Sequence, residues 1–327
     1  MRRFDSDLGL MPENAKPEIS YRSFVKLPDN TISRQSSPPP SRPSISEEIQ
    51  LKKTEQLDLS LPENRLYTGI IKDVKKDIIK VYKSVGINIK QGQFSELILS
   101  TKKIGQPESR YYRRENIGVV AVGDRPSLHD ILAIYHELGH GISSRTEIDS
   151  PEGDLIYGST GLQTTNKKAR VGTGRFLEEG LVQYLSYKYL ADSQDKHLRS
   201  LRKEYLDKAL EDGKFQPNRY PRTKDQLYSY IAHILLHPNG YYAISLERIE
   251  DLFDAADVFD KRNGKHELLS KLLWARVNPK NKRKLIHYLD KITKPGMGSR
   301  TFYTPGDMEQ EYLLNREIRR AYISKRK

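Results

Sequence analysis

The chain has 327 residues and no cysteine, and its 56 lysine and arginine residues outnumber its 43 acidic residues, for a formal net charge of +13. A chain of this length can bury a hydrophobic core in one large domain or two smaller ones without disulfide bonds. The lack of cysteine excludes a disulfide scaffold, a thiolate nucleophile and every cysteine-based zinc site. Any metal ligands must therefore be histidine or carboxylate side chains.

The excess of basic residues favours acidic partners, such as acidic protein surfaces. Acidic residues are interspersed along the chain, and no basic run with interleaved aromatic residues stands out, so nucleic acid is not expected as a partner. No apolar stretch is long enough to span a bilayer, and the start, MRRFDSDLGL, does not resemble a cleavable signal peptide. The sequence leaves the oligomeric state open.

Residues 1–60 are predicted to form a disordered leader, with the Ser/Pro-rich stretch Ser33–Ser46 at its centre. Such a stretch has too few apolar residues to offset the entropy lost on ordering. A plain flexible tail and an uncleaved secretion signal or docking segment both agree with this composition.

Ordered structure is predicted to begin with a helix over Tyr67–Val85, because its apolar residues recur at helical spacing and Gly86 follows as a stop signal. Three β-branched segments then predict strands at Ile87–Gln91, Glu96–Lys103 and Ile117–Gly123. We expect them to form a small mixed sheet.

The next helix is predicted to start after Ser127, which can cap it together with Asp130. The segment Ile142–Arg175 is rich in glycine, threonine and serine and lacks periodicity, which predicts a long extended loop. A second strong helix is predicted over Arg175–Ala191.

We place a catalytic core at residues 61–192 and a helical subdomain of four or five helices at residues 193–294. Residues 295–327 form a basic tail that ends in an amphipathic stretch, predicted to be a peripheral helix packed on the domain. The predicted fold class is α+β.

The helix after Ser127 contains the run HELGH, with His136, Glu137 and His140. Two histidines four residues apart lie on the same face of a helix, one turn apart, which suits two ligands of one tetrahedral zinc ion. Glu137 projects about 100° round the helix from His136. That position suits a general base that takes a proton from water bound to the metal.

The HELGH helix resembles the active-site helix of zincin metallopeptidases, and the second helix, FLEEGLVQY, resembles the ligand helix of the thermolysin-like branch, the gluzincins. That resemblance implies that Glu179, which precedes the glycine, is the third zinc ligand, with Glu178 as the second candidate. The metzincin branch is disfavoured because its further histidine is missing after His140.

The sequence departs from the gluzincin pattern in two places. The spacer between His140 and Glu179 has 38 residues, longer than the family's usual spacer. Gln183 stands where the family has a carboxylate that orients a zinc-bound histidine, and its carbonyl oxygen could accept that imidazole N–H. The resemblance also implies that the strand Ile117–Gly123 is the sheet edge on which an extended substrate lies, although an ordinary core strand is an equal alternative.

The resemblance further implies a hydrogen-bond donor for the oxyanion. The candidates are Tyr184, Tyr228, Tyr230, His233 and Tyr241.

Together these features predict a zinc endopeptidase with one Zn²⁺ ion, which hydrolyses a protein substrate with Glu137 as general base. A chain with such a leader and without cysteine or a signal peptide resembles a bacterial effector protease. This resemblance predicts a protein that is secreted or delivered into a host cell, and the other predicted location is the cytoplasm. The alternative is a non-catalytic basic binding module with a structural or vestigial metal site.

Overall fold

A computed structural model describes residues 45–324, except for residues 55, 62–63, 102–108, 114, 150–154, 167–170, 214–220, 222, 235–239 and 304–307. The part of the predicted leader before Ile45 lies outside the described residues. The predicted range of the leader, residues 1–60, includes the first described helix, whose Ile49 is buried against the sheet described below.

The described residues contain eleven α-helices. In chain order they are α1 (Ile45–Thr54), α2 (Arg65–Ser84), α3 (Leu128–Gly141), α4 (Arg175–Asp192), α5 (Lys196–Glu211), α6 (Lys224–Ile234), α7 (Gly240–Phe259), α8 (Gly264–Val277), α9 (Lys282–Ile292), α10 (Met297–Tyr303) and α11 (Met308–Ile323).

Seven β-strands make up two separate sheets among these residues. The strands are β1 (Glu96–Thr101), β2 (Arg110–Tyr112), β3 (Ile117–Val122), β4 (Arg145–Asp149), β5 (Leu155–Thr160), β6 (Gln163–Asn166) and β7 (Val171–Thr173). The first sheet has the order β1-β3-β2, and the second has the order β4-β5-β6-β7. The protein therefore has mixed helical and strand structure, in agreement with the α+β prediction at this coarse level.

The first sheet is mixed, because β3 pairs with β1 in parallel and with β2 antiparallel. β3 lies in the middle, with Gly118 opposite Leu97 on one side and Tyr111 on the other. The prediction that this strand is the sheet edge is therefore wrong. All its residues except Ala121 are buried, and a continuous apolar strand of this kind is typical of a strand covered on both faces.

The third strand of this sheet is β2. The prediction of a strand at Ile87–Gln91 is wrong. That segment runs into a short 3-10 helix at Gln91–Gln93. β2 has only three residues, Arg-Tyr-Tyr, between basic and polar neighbours, and so short a strand leaves no alternating pattern in the sequence.

The prediction of a long loop over Ile142–Arg175 is also wrong, because this segment contains the second sheet. Its four strands follow one another as an antiparallel meander. They are three to six residues long and rich in polar residues. The segment therefore has no run of alternating apolar residues, although threonine itself suits a strand.

The predicted helices are confirmed within a few residues of their ends. The Ser127 side chain accepts a hydrogen bond from the Asp130 backbone N–H, as the capping prediction requires. The helices α5 to α9 cover the five helical cores expected after residue 193, and α11 packs on the domain through Leu314, Ile318 and Tyr322. None of the described helices is both long and apolar enough to cross a membrane.

Of the helices after residue 193, α6 and α7 pack directly on α4. A Cβ atom at Gly180 of α4 would lie 2.1 Å from the carbonyl oxygen of Ser245 on α7, so the two helices meet at a distance that only glycine permits. The helix α7 in turn packs on α11, where Arg248 of α7 is fully buried. Its Nη1 lies 2.5 Å from Oε2 of Glu311, and its Nε donates to Asn315.

We expect Arg248→Met to lower the free energy of unfolding by about 3–5 kcal/mol, because it leaves the buried Glu311 carboxylate without its counter-ion. The measurement is urea denaturation followed by circular dichroism. The matched control is Lys188→Met, which removes one partner of the exposed pair with Asp192 and should cost less than about 1 kcal/mol. Equal losses in the two variants would contradict the importance of the buried pair.

Candidate metal centre

The helix α3 presents both histidines of the HELGH run on one face. Nε2 of His136 and Nε2 of His140 are 3.1 Å apart, and the two rings meet nearly edge to face. Both residues lie in the last two turns of the helix, which ends at Gly141. The expected pairing of the two imidazoles is therefore present in the structure.

Glu179 of α4 completes the group. Its Oε2 lies 3.2 Å from Nε2 of His136 and 3.3 Å from Nε2 of His140. Three ligands of a tetrahedral zinc ion, each about 2.0–2.1 Å from the metal, lie roughly 3.3 Å from one another. The triangle formed by these three atoms matches that size, and its donors are of the types that zinc prefers.

A glycine inside the HELGH run brings α3 and α4 close together. A Cβ atom at Gly139 would lie 2.9 Å from Cγ1 of Val182 on α4. Any larger residue at this position would push α4 away and with it Glu179. Gly139 therefore lowers the stability of the helix but allows the Glu179 carboxylate to reach the two histidines.

Glu178, the second candidate for the third ligand, points to the other side of His140. Its Oε1 accepts hydrogen bonds from Nδ1 of His140 (3.3 Å), Oγ of Ser143 (3.1 Å) and Nε of Arg276 (2.8 Å). Its Oε2 accepts from the backbone N–H of Leu162 (2.9 Å) in the turn between β5 and β6. A carboxylate can only accept, so the contact with Glu178 requires a proton on Nδ1 of His140, and Nε2 is the nitrogen that faces Glu179.

The prediction that Gln183 orients a histidine is wrong. The Gln183 side-chain amide donates to the hydroxyl of Tyr187 at 2.6 Å. In the described part of the chain, Nδ1 of His136 has no hydrogen-bond partner. The orienting carboxylate is therefore Glu178, one residue before the candidate ligand instead of four residues after it.

Glu137 lies beside the candidate metal-ligating group and is buried. Its Oε2 has no hydrogen-bond partner among the described residues, and a Cβ atom at Gly118 of β3 would lie 3.0 Å from its Cβ. Burial raises the pKa of Glu137, and the nearby His136 and His140 only partly oppose this. A buried carboxylate that is not committed to another side chain is what a general base requires.

The charges of the site favour a cation at its centre. Burial by itself would lower the pKa of His140, but the Glu179 carboxylate and hydrogen bonds to Glu178 and Glu179 raise it to about 9. Burial would raise the pKa of Glu179, but His140 and His136 hold it well below its usual value. The two carboxylates thus stabilise positive charge at the place where a metal ion would bind.

The two carboxylates also differ in their access to solvent. The Glu179 and His136 side chains each keep about a tenth of their surface exposed, whereas Glu178 is 1% exposed. Of the two carboxylates, Glu179 therefore keeps a little contact with solvent, whereas Glu178 is sealed inside the protein.

Two tyrosines that the sequence analysis did not single out flank the histidines. The Tyr111 ring of β2 stacks on His140, with centroids 5.8 Å apart, and its hydroxyl donates to Asn116. The Tyr242 ring meets His136 edge to face at 5.9 Å. Tyr241, which was a candidate oxyanion donor, contacts Tyr242 at 5.5 Å.

The other expected oxyanion donors have different surroundings. Tyr184 packs on Tyr228 and Phe253, and the Tyr228 hydroxyl donates to Glu250. Tyr230 lies on α6, and the side chain of His233 lies outside the described residues. None of these four has a described contact with His136 or His140.

Comparison of the chain with protein-family models, with curated proteins and with solved structures finds no match.

The two neighbouring glutamates should respond differently to substitution. We expect Glu179→Ala to lower zinc affinity by more than 100-fold, since it removes a ligand, and Glu178→Gln to lower it by about 10- to 100-fold, the usual effect of losing an outer partner of a ligand. The measurement is competition for zinc with a chromophoric chelator at fixed pH. A larger loss in Glu178→Gln than in Glu179→Ala would reverse the assignment of the third ligand.

Proposed function

We propose that the protein is a zinc-dependent endopeptidase with a zincin-like active site of the gluzincin type. In this proposal His136, His140 and Glu179 hold one Zn²⁺ ion, and Glu137 is the general base. The observation that carries it is the close group of three ligand atoms, 3.1–3.3 Å apart, beside a buried carboxylate oxygen without a hydrogen-bond partner among the described residues.

A catalytic metal site agrees with this geometry better than a structural one. Structural zinc sites have four protein ligands, whereas catalytic sites have three and keep the fourth position open. In the described residues the group consists of His136, His140 and Glu179. The partial exposure of His136 and Glu179 supports an open fourth position on the solvent side.

The reaction needs a polarised carbonyl and an acidified water molecule. A zinc ion bound by the three side chains would supply both effects through its Lewis acidity. Glu137 accepts the proton of the attacking water and passes it to the nitrogen of the leaving amine. Its raised pKa suits this role, because a carboxylate with a raised pKa is a stronger base than an ordinary one.

Other residues would orient the reacting groups. Glu178 keeps the His140 ring in place and fixes the tautomer in which Nε2 is free to bind a metal. An oxyanion needs a further hydrogen-bond donor near the metal, and Tyr242 is the tyrosine in contact with the His136 ring. The hydroxyl of Tyr111 already donates to Asn116, which makes it the weaker candidate.

We place an extended protein substrate along β2. In zincins the substrate pairs with an edge strand beside the active-site helix, and β2 lies at one end of the described order β1-β3-β2. Its Tyr111 stacks on His140. Arg110 begins this strand and Arg113 directly follows it, and with the net charge of +13 they favour acidic side chains in the substrate.

Delivery into a host cell stays a prediction from the composition of the leader. The alternative function also stays open, namely a non-catalytic basic binding module that uses the three ligands for a structural metal ion. The two functions differ in one property that can be measured, which is whether Glu137 is needed for peptide-bond cleavage.

We expect Glu137→Gln to lower kcat/KM by about 10²- to 10⁴-fold, because it removes the general base, while zinc content stays at one ion per chain. The measurement is incubation of zinc-loaded protein with a peptide library made from a whole proteome, followed by mass spectrometry of new N-termini. The matched control is Glu211→Gln at the end of α5, which should cleave like the wild type.

Equal cleavage by Glu137→Gln and the wild type would refute the role of Glu137. A wild-type protein that binds zinc and produces no new N-termini would favour the non-catalytic module.

A further inference from the structure

We infer that Arg276, on α8 and outside the predicted catalytic core, is a positioning residue for the metal centre, where it holds Glu178 and the last turn of α3 and so fixes the His140 ring. This inference rests on the proposed zinc site. It assigns a role in that site to the helical C-terminal part of the chain, for which the resemblance to zincins implies none.

The guanidinium group of Arg276 contacts three other helices. Its Nε and Nη2 lie 2.8 and 2.7 Å from Oε1 of Glu178 on α4. Its Nη1 donates to the hydroxyl of Tyr82 on α2 (2.8 Å), and its Nη2 also donates to the carbonyl oxygen of Gly139 on α3 (2.7 Å). All three nitrogens are therefore engaged, each at short distance.

The contact with Gly139 acts on the helix that carries the metal-ligating histidines. Gly139 lies in the last turn of α3, where backbone carbonyl groups lose their partners in the helix. A cation at a helix C-terminus stabilises these carbonyl groups. Because Gly139 directly precedes His140, the hydrogen bond from Arg276 holds the backbone at the second histidine.

The contact with Glu178 acts on the imidazole ring itself. Arg276 and Ser143 together hold Oε1 of Glu178, and this same oxygen lies 3.3 Å from Nδ1 of His140. The chain of contacts therefore runs from Arg276 through Glu178 to His140. Loss of the first contact would remove the charged partner of Glu178 and leave Ser143 and the Leu162 N–H to hold it beside the ring.

The burial of this pair supports a role beyond stability. Arg276 and Glu178 are each 1% exposed. A buried ion pair often stabilises a protein no better than well-packed apolar residues would, because both charges lose their hydration. The Arg276–Glu178 pair can orient a metal ligand, which apolar residues in its place could not do.

Lysine cannot replace the planar fork of arginine at this position. A lysine ammonium group is a single point of charge and cannot reach acceptors on α2, α3 and α4 at once. Arg276→Lys therefore keeps the charge and removes the geometry. Arg248→Lys is the matched control, because Arg248 is equally buried and pairs with Glu311 on α11.

The experiment measures the zinc dissociation constant of the full chain by competition with a chromophoric chelator. We expect Arg276→Lys to raise this constant by about 10- to 100-fold, as for other residues that orient a metal ligand, and Arg248→Lys to leave it unchanged. Near-ultraviolet circular dichroism shows that each variant is folded. The absorption spectrum of the Co²⁺-loaded protein should change in Arg276→Lys and not in Arg248→Lys.

A double variant tests whether Arg276 acts through Glu178. If it acts mainly through Glu178, Glu178→Gln combined with Arg276→Lys binds zinc only slightly more weakly than Glu178→Gln alone, since the contact with the Gly139 carbonyl is the only contact with α3 that the second change still removes. Additive losses would overturn the proposed route. If Arg276→Lys does not fold, Tyr82→Phe takes its place and should weaken zinc binding by a smaller factor, with an unchanged dissociation constant as the contrary result.

Two negative outcomes are distinguishable. Wild-type protein that binds no zinc would overturn both the proposed function and this inference. Wild-type protein that binds zinc, with an Arg276→Lys variant that binds it equally well and gives the same Co²⁺ spectrum, would overturn the role of Arg276 alone.

Discussion

The carboxylate of Glu178 is buried at the point where hydrogen-bond donors from four other parts of the chain meet. His140 donates to it from α3, Ser143 from the segment after α3, Leu162 from the second sheet and Arg276 from α8. A buried carboxylate without partners would be very costly, so each donor has to be in place when the protein is folded. The candidate metal centre beside it depends on this arrangement.

The second sheet has a structural purpose in this arrangement. It occupies most of the 38 residues between His140 and Glu179, a spacer that the resemblance to gluzincins left unexplained. Its turn between β5 and β6 delivers the Leu162 N–H to Glu178. This segment therefore takes part in building the candidate site, and its polar strands lie between the helices α3 and α4 in the chain.

Much of the site could be predicted because its determinants are local. The spacing of His136 and His140 on one helix and the Glu-Gly pattern at Glu179 both follow from short stretches of sequence, and the structure brings these three side chains together. The partners of Glu178 could not be predicted, because Arg276 is one arginine among many and lies 98 residues further along the chain. The pairing of β2 with β3 could not be predicted either, because three residues are too few to show a strand pattern in the sequence.

The order of these contacts along the chain has a consequence for folding. The 38 residues between His140 and Glu179 must close into a loop before Glu179 can reach the histidines, and a sequence separation of 98 must be bridged before Arg276 can reach Glu178. Closing long loops costs entropy before the contacts return any stability, which makes such pairings slow. The helix α3 can therefore form early from its own cap, while the geometry of the candidate metal centre is complete only after α8 has docked. Metal binding would then occur late in folding, and it would require that nearly the whole chain has already folded.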